Sequence, residues 1–177
     1  MSFRKRFGTA ALLLLALVAG MVARTYLLPG PTLQAVSDGS TVEDFALPDL
    51  DGQVRRLSEF AGKTVVLNFW ASWCGPCLEE IPDFIDLQAR YADRGVQFLG
   101  VAVEDAASAQ SMAARLNLNY PSMVGDLDAM DLARRLGNAV GALPYTVIIG
   151  PDGRERARLT GRADPADVQK WLDAARS

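Results

Sequence analysis

Histidine is absent from this 177-residue chain, and cysteine occurs only twice, at Cys74 and Cys77. Without imidazole there is no His general base, no Ser-His-Asp hydrolysis, no His metal ligand and no Cys-x-x-Cys-His haem attachment. Basic charge is scarce once the first 30 residues are set aside. Arg4, Lys5, Arg6 and Arg24 lie there with no acid, so residues 31–177 carry 14 basic and 21 acidic side chains, a net −7. A folded part at −7 is a poor candidate for binding nucleic acid, since phosphate neutralisation needs a basic face. Apolar residues are plentiful, at 50% against 22% charged. That is enough to bury one domain's core and too much for extended disorder.

The N-terminus has its own pattern. Residues 1–7 form a basic end, and an uncharged, mostly apolar run continues from there to Ala23. A basic start before an apolar stretch is an export signal whose positive end stays in the cytoplasm. The 16 residues from Gly8 to Ala23 would make a helix of about 24 Å, short of a hydrocarbon core of about 30 Å. Tyr26, Leu27 and Leu28, with Arg24 reaching to the interface, extend it to a span. The expectation is a retained signal-anchor over 8–28, a linker over 29–40 and a folded domain over 41–177. Val18-Ala19-Gly20 offers a cleavage site as the alternative.

Within the domain, two short extended pieces around Asp51-Gly52 predict a hairpin, and Ser58 opens a brief helical turn. Val65 to Trp70 is a nearly continuous apolar run, the pattern of a strand buried on both faces. A helix follows from Cys74 to about Tyr91, then a strand from Val96 to Val103. Ala109, Met112, Ala113 and Leu116 stripe one face of the next helix, which needs no reading beyond core packing. A short extended piece at Ser122-Met123-Val124 and a helix near 128–136 come next. Tyr145–Ile149 and Ala157–Leu159 flank the turn Pro151-Asp152-Gly153. Asp164 and Pro165 cap a last helix. The order β-β-α-β-α-β-α-α-β-β-α predicts an α/β sandwich around a mixed sheet.

The cysteines lie where the buried strand meets a helix. Cys74 at the helix start faces unpaired N–H groups and the positive dipole end, which favour its thiolate. Cys77, three residues on, shares its face. A disulfide closing so short a loop is worth only about 2 kcal/mol by chain entropy, which suits redox cycling better than stapling. A zinc site lacks its other ligands. No metal and no cofactor beyond the cysteine pair are expected.

Asn68 to Cys77 (NFWASWCGPC) resembles the active-site strand and turn of the thioredoxin superfamily. Phe45 to Gly52, Glu80 followed by Pro82, and Gly141 to Thr146 resemble, more narrowly, TlpA/ResA-like membrane-anchored thiol-disulfide oxidoreductases. The resemblance covers residues 41–177. It implies a thioredoxin-like sandwich with an N-terminal β-hairpin and an insertion at about 104–136. It also implies a cis bond between Leu143 and Pro144, which would leave backbone beside it to pair with an extended substrate. Trp73, Gly75 and Pro76 would complete the docking surface, with Trp70 in the core.

One departure from cytoplasmic thioredoxins concerns proton transfer. They place a buried Asp where this chain has Asn68, which cannot accept the proton of Cys77. Glu80, at i+3 from Cys77, is the candidate base, its pKa raised if buried. The implied activity is reduction of protein disulfides on the extracytoplasmic, periplasmic side of a bacterial membrane. Cys74 would attack and Cys77 resolve, with a membrane electron donor recharging the pair. Clients of the family are apocytochrome c thiols and respiratory copper-site proteins. Two other readings are a thiol peroxidase and a Cu(I) metallochaperone. The peroxidase pattern Pro-x-x-x-Thr-x-x-Cys would require Pro at 67 and Thr at 71, where this chain has Leu67 and Ala71.

Overall fold

The computed structural model describes residues 33–36 and 39–174, with Ala16 alone before them. The expected basic end and signal-anchor helix therefore lie outside the described residues, apart from that one position. Among those described, no helix is long and apolar enough to cross a membrane.

A six-stranded mixed sheet is built around β4 (Thr64–Trp70), every residue of which is buried. β-Branched and aromatic side chains on both faces exclude solvent from the strand, so it takes the centre. Beside it lies β5 (Val96–Ala102), parallel, joined to it through α1 (Gly75–Tyr91). On the other side β7 (Tyr145–Ile149) runs antiparallel and continues into β8 (Glu155–Thr160) through the predicted Asp152-Gly153 turn. The remaining elements are β2 (Ala46–Pro48), β3 (Val54–Arg56), α2 (Ala106–Leu116), β6 (Ser122–Val124), α3 (Leu127–Arg135) and α4 (Pro165–Ala174). β2 and β3 form the expected hairpin, shifted one residue along the chain. This is the thioredoxin-like sandwich that the sequence predicts.

Two expectations need correction. The stretch 29–40 is not wholly a tether: Gln34–Ala35 is a strand, β1, paired antiparallel with β8. Val36 N–H donates to the Arg156 carbonyl at 3.0 Å. A two-residue strand has no period to read, and its pairing comes from the free edge of β8. Ser122–Val124, omitted from the element order above, is the edge strand β6, parallel to β5. The 104–136 segment therefore widens the sheet as well as covering it.

The two-residue period of the strands decides what each face carries. Val65, Leu67 and Phe69 of β4 and Tyr145, Val147 and Ile149 of β7 point to one layer, with Phe45, Phe60 and Leu132. Val66 points to the other, where Phe84 and Leu87 of α1 pack with Val168 and Leu172 of α4. Asn68 and Thr146 share that second face and are direct cross-strand partners. Gly100 lies next to Asn68 on β5, and a Cβ there would come within 2.7 Å of Ser122 Oγ. Its missing side chain leaves room for Trp70 Nε1 to donate to that hydroxyl at 3.1 Å.

Candidate active site

Helix α1 buries the stripe Cys77, Glu80, Ile81, Phe84, Leu87, Gln88 and Tyr91, the i, i+3, i+4 spacing of one face. Cys74 is its N-cap, in extended backbone, and Pro76 sits in the first turn where no N–H is needed. The two sulfurs are bonded at 2.03 Å. Cys74 Sγ also accepts from the Cys77 N–H at 3.3 Å, the contact that would hold a thiolate in the reduced protein. Exposure separates the cysteines: Cys74 keeps 5% and Cys77 none. The bridge is therefore more enclosed than a surface turn suggests, because Trp70, Ile81, Ala109 and Val124 pack around it.

Trp73 stands beside it at 68% exposure, while Trp70 is sealed in the core. Gly75 and Pro76 are exposed at the helix start. The Leu143–Pro144 bond is cis, as the resemblance implies. The Pro144 carbonyl accepts from Gly161 N–H at 2.8 Å. Among the described residues nothing pairs with the Leu143 backbone, which remains open to an extended chain.

Glu80 is fully buried, as the candidate-base reading requires. Its Oε1 accepts from Asn68 Nδ2 at 2.8 Å, and its Oε2 accepts from the Ala163 N–H at 2.8 Å. Loss of water around the carboxylate outweighs these two donors and pushes its pKa up to about 7. Arg162 opposes that rise and Asp83 adds to it. Burial pushes the Tyr120 phenol far up, and the Glu80 charge raises it further.

Three further contributors are missed by sequence reading. Glu104, just past β5, accepts from Ser72 N–H at 2.7 Å and from its hydroxyl at 2.6 Å, pinning the loop that carries Cys74. A carboxylate at the C-terminal end of a parallel strand is a usable signal, since sites collect there. Thr146 accepts the second Asn68 Nδ2 hydrogen at 3.2 Å. Ala163 acts through its backbone, which no side-chain pattern marks.

A buried carboxyl near neutrality, one helical turn past Cys77, fits proton transfer during dithiol exchange. The chain matches the family model described as Redoxin over residues 37–172. It is 37% identical over 167 residues to the "Thiol-disulfide oxidoreductase ResA" of Geobacillus kaustophilus, covering 94% of this chain and 92% of that one. The chain belongs to the redoxin family. Within it, this is a ResA/TlpA-like thiol-disulfide oxidoreductase with a thioredoxin fold. The ResA of Geobacillus thermodenitrificans is 33% identical over 175 residues, 98% of each chain. A crystal structure of a putative thiol:disulfide interchange protein DsbE from Chlorobium tepidum superposes with a TM-score of 0.72. It is 28% identical and covers 82% of this chain and all of that one.

Proposed function

We propose that this ResA-like oxidoreductase is a membrane-anchored, extracytoplasmic reductase of protein disulfides. The reading is supported by the Cys74–Cys77 disulfide at the start of α1, with the buried Glu80 carboxyl one turn beyond Cys77. The Cys74 thiolate attacks one sulfur of a substrate disulfide, forming a mixed disulfide and releasing the other sulfur as a thiolate. Cys77 then gives its proton to Glu80 and attacks Cys74 Sγ. That expels the second substrate thiolate and leaves the Cys74–Cys77 disulfide, so two electrons pass to the substrate. The Leu143–Pro144 edge and Trp73 hold the client chain. Clients are cysteine pairs awaiting haem attachment in apocytochromes c, or copper-site proteins. An integral-membrane thiol-disulfide protein restores the dithiol.

Direction is tested by the potential of the pair. Gly75 and Pro76 separate the cysteines, and no histidine lies between them to over-stabilise a thiolate. Equilibration with glutathione should give a value near the thioredoxin range of about −270 mV. A value above about −150 mV, toward the strong oxidants, would reverse the direction. The anchor has a separate test, N-terminal sequencing of membrane and soluble fractions. The intact basic end should remain with the membrane. A soluble chain starting near Met21 or Arg24 would establish cleavage.

A further inference from the structure

The Asn68 carboxamide is buried and only half used. Nδ2 spends its two hydrogens on Glu80 Oε1 and Thr146 Oγ1, at 2.8 and 3.2 Å. Oδ1 is buried and has no partner. A buried carbonyl oxygen without a donor is costly. Half a turn of the amide would bring Oδ1 to Glu80 and Thr146 while carrying Nδ2 to the unpartnered side, so the turn occurs only where Glu80 offers a donor. That alternative fails while Glu80 is ionised, because Oδ1 would then face a carboxylate oxygen, acceptor against acceptor. The observed orientation is the one that serves the charged form.

A proton on Glu80 reverses the preference. The carboxyl becomes a donor, and although both its oxygens accept in the charged form, the Ala163 N–H on Oε2 is fixed backbone whereas the Asn68 amide on Oε1 can turn. The proton therefore belongs on Oε1, which faces Asn68. The rotated amide offers Oδ1 to that O–H, and the Thr146 hydroxyl, acceptor before, turns to donate to the same oxygen. An asparagine can partner both protonation states in this way. An aspartate would bring a second acidic group against the first and divide one proton between them.

We propose that Asn68 is a positioning residue that rotates by half a turn each time Glu80 gains or loses the proton of Cys77. The orphaned Oδ1 becomes the partner of the protonated state, and Thr146 is the hydroxyl that serves both orientations. The inference rests on Glu80 as the proton acceptor of the exchange. Other groups bearing on Glu80 are Arg162 from the loop before α4, Asp83 on its own helix and Tyr120 before β6. Cys77, three residues back on α1, joins them once reduced. None of these supplies Asn68 Oδ1 with a donor in the disulfide form.

The test uses the full chain in detergent micelles with its disulfide intact, so that no thiol titrates. Glutamate labelled at the carboxyl carbon reports Glu80, with Glu80→Gln identifying its signal among six glutamates. Labelled asparagine reports the Asn68 amide among four, assigned by its loss in Asn68→Asp. Above the Glu80 midpoint, the Asn68 amide protons should show cross-relaxation to Thr146. Below it, that signal should weaken at least fivefold with the same midpoint. Glu80→Gln, whose amide imitates the protonated acid, should show the weakened pattern at every pH. A Thr146 contact that stays constant while Glu80 titrates overturns the rotation and leaves the base intact. A Glu80 signal that does not titrate between pH 5 and about 9 overturns both the rotation and the base reading.

Discussion

Cys77→Ser is expected to accumulate mixed disulfides with client proteins, and Cys74→Ser to accumulate none. The difference follows from where the helix places each sulfur. Cys74 caps α1 beside the exposed Trp73, Gly75 and Pro76 and retains 5% exposure, so it is the sulfur nearer to an incoming client disulfide. Cys77 has no exposed surface and is bonded to Cys74 Sγ. Removing the resolving thiol stops the reaction at the covalent intermediate. Removing the attacking thiol prevents that intermediate from forming, although Cys77 survives. The measurement is acid quenching followed by non-reducing electrophoresis and mass spectrometry of trapped species. The contrast should be nearly all-or-none. Equal trapping by both variants would mean that the buried sulfur is reachable, and the assignment of roles would fall.

Why these sulfurs could be read from sequence while their surroundings could not is a matter of range. Strand β4, helix α1 and the turn between them are consecutive, so period, proline position and dipole act over a dozen residues. The three-residue spacing from Cys77 and the family motif mark Glu80 in the sequence. Glu80 also carries a signal that the stripe alone supplies, a carboxylate at i+3 on a face otherwise mostly apolar. The network of Asn68 and Glu80 draws on distant parts of the chain. Thr146 lies 78 residues from Asn68 and is brought to it only by the register of β4 against β7. Ala163 lies 83 residues from Glu80 and contributes a backbone N–H, which is identical in every residue but proline. Strand β1 escaped for a related reason. Two residues have no period, and their strand character is conferred by β8.

Replacing Glu80 with glutamine should slow dithiol-disulfide exchange near neutral pH by about 10²-fold, the scale of a positioned base. The shape is kept and the proposed proton acceptor is lost. Two consequences at other observables separate this from simple damage. Removing a nearby negative charge lowers the apparent thiol pKa values, so alkylation of the reduced protein should begin at lower pH. Stability should also change its pH dependence. Burial holds the Glu80 proton in the folded chain up to about 7, well above the ordinary 4.5. The folded state therefore binds that proton more tightly than the unfolded one. Its contribution is complete below about pH 4.5 and disappears as pH rises through about 7. The span corresponds to about 3 kcal/mol, and urea midpoints of the oxidised protein at the two ends should record it. Glu80→Gln should lack that slope, so its stability relative to the parent improves as pH rises. Glu79→Gln is the control, because Glu79 is 63% exposed and pairs with Arg162 at 3.0 Å in solvent. An exposed pair of that kind is worth about 1 kcal/mol or less, and the exchange rate should be unchanged. If Glu80→Gln exchanges within twofold of the parental rate, water takes the Cys77 proton and the buried carboxyl has only a packing role.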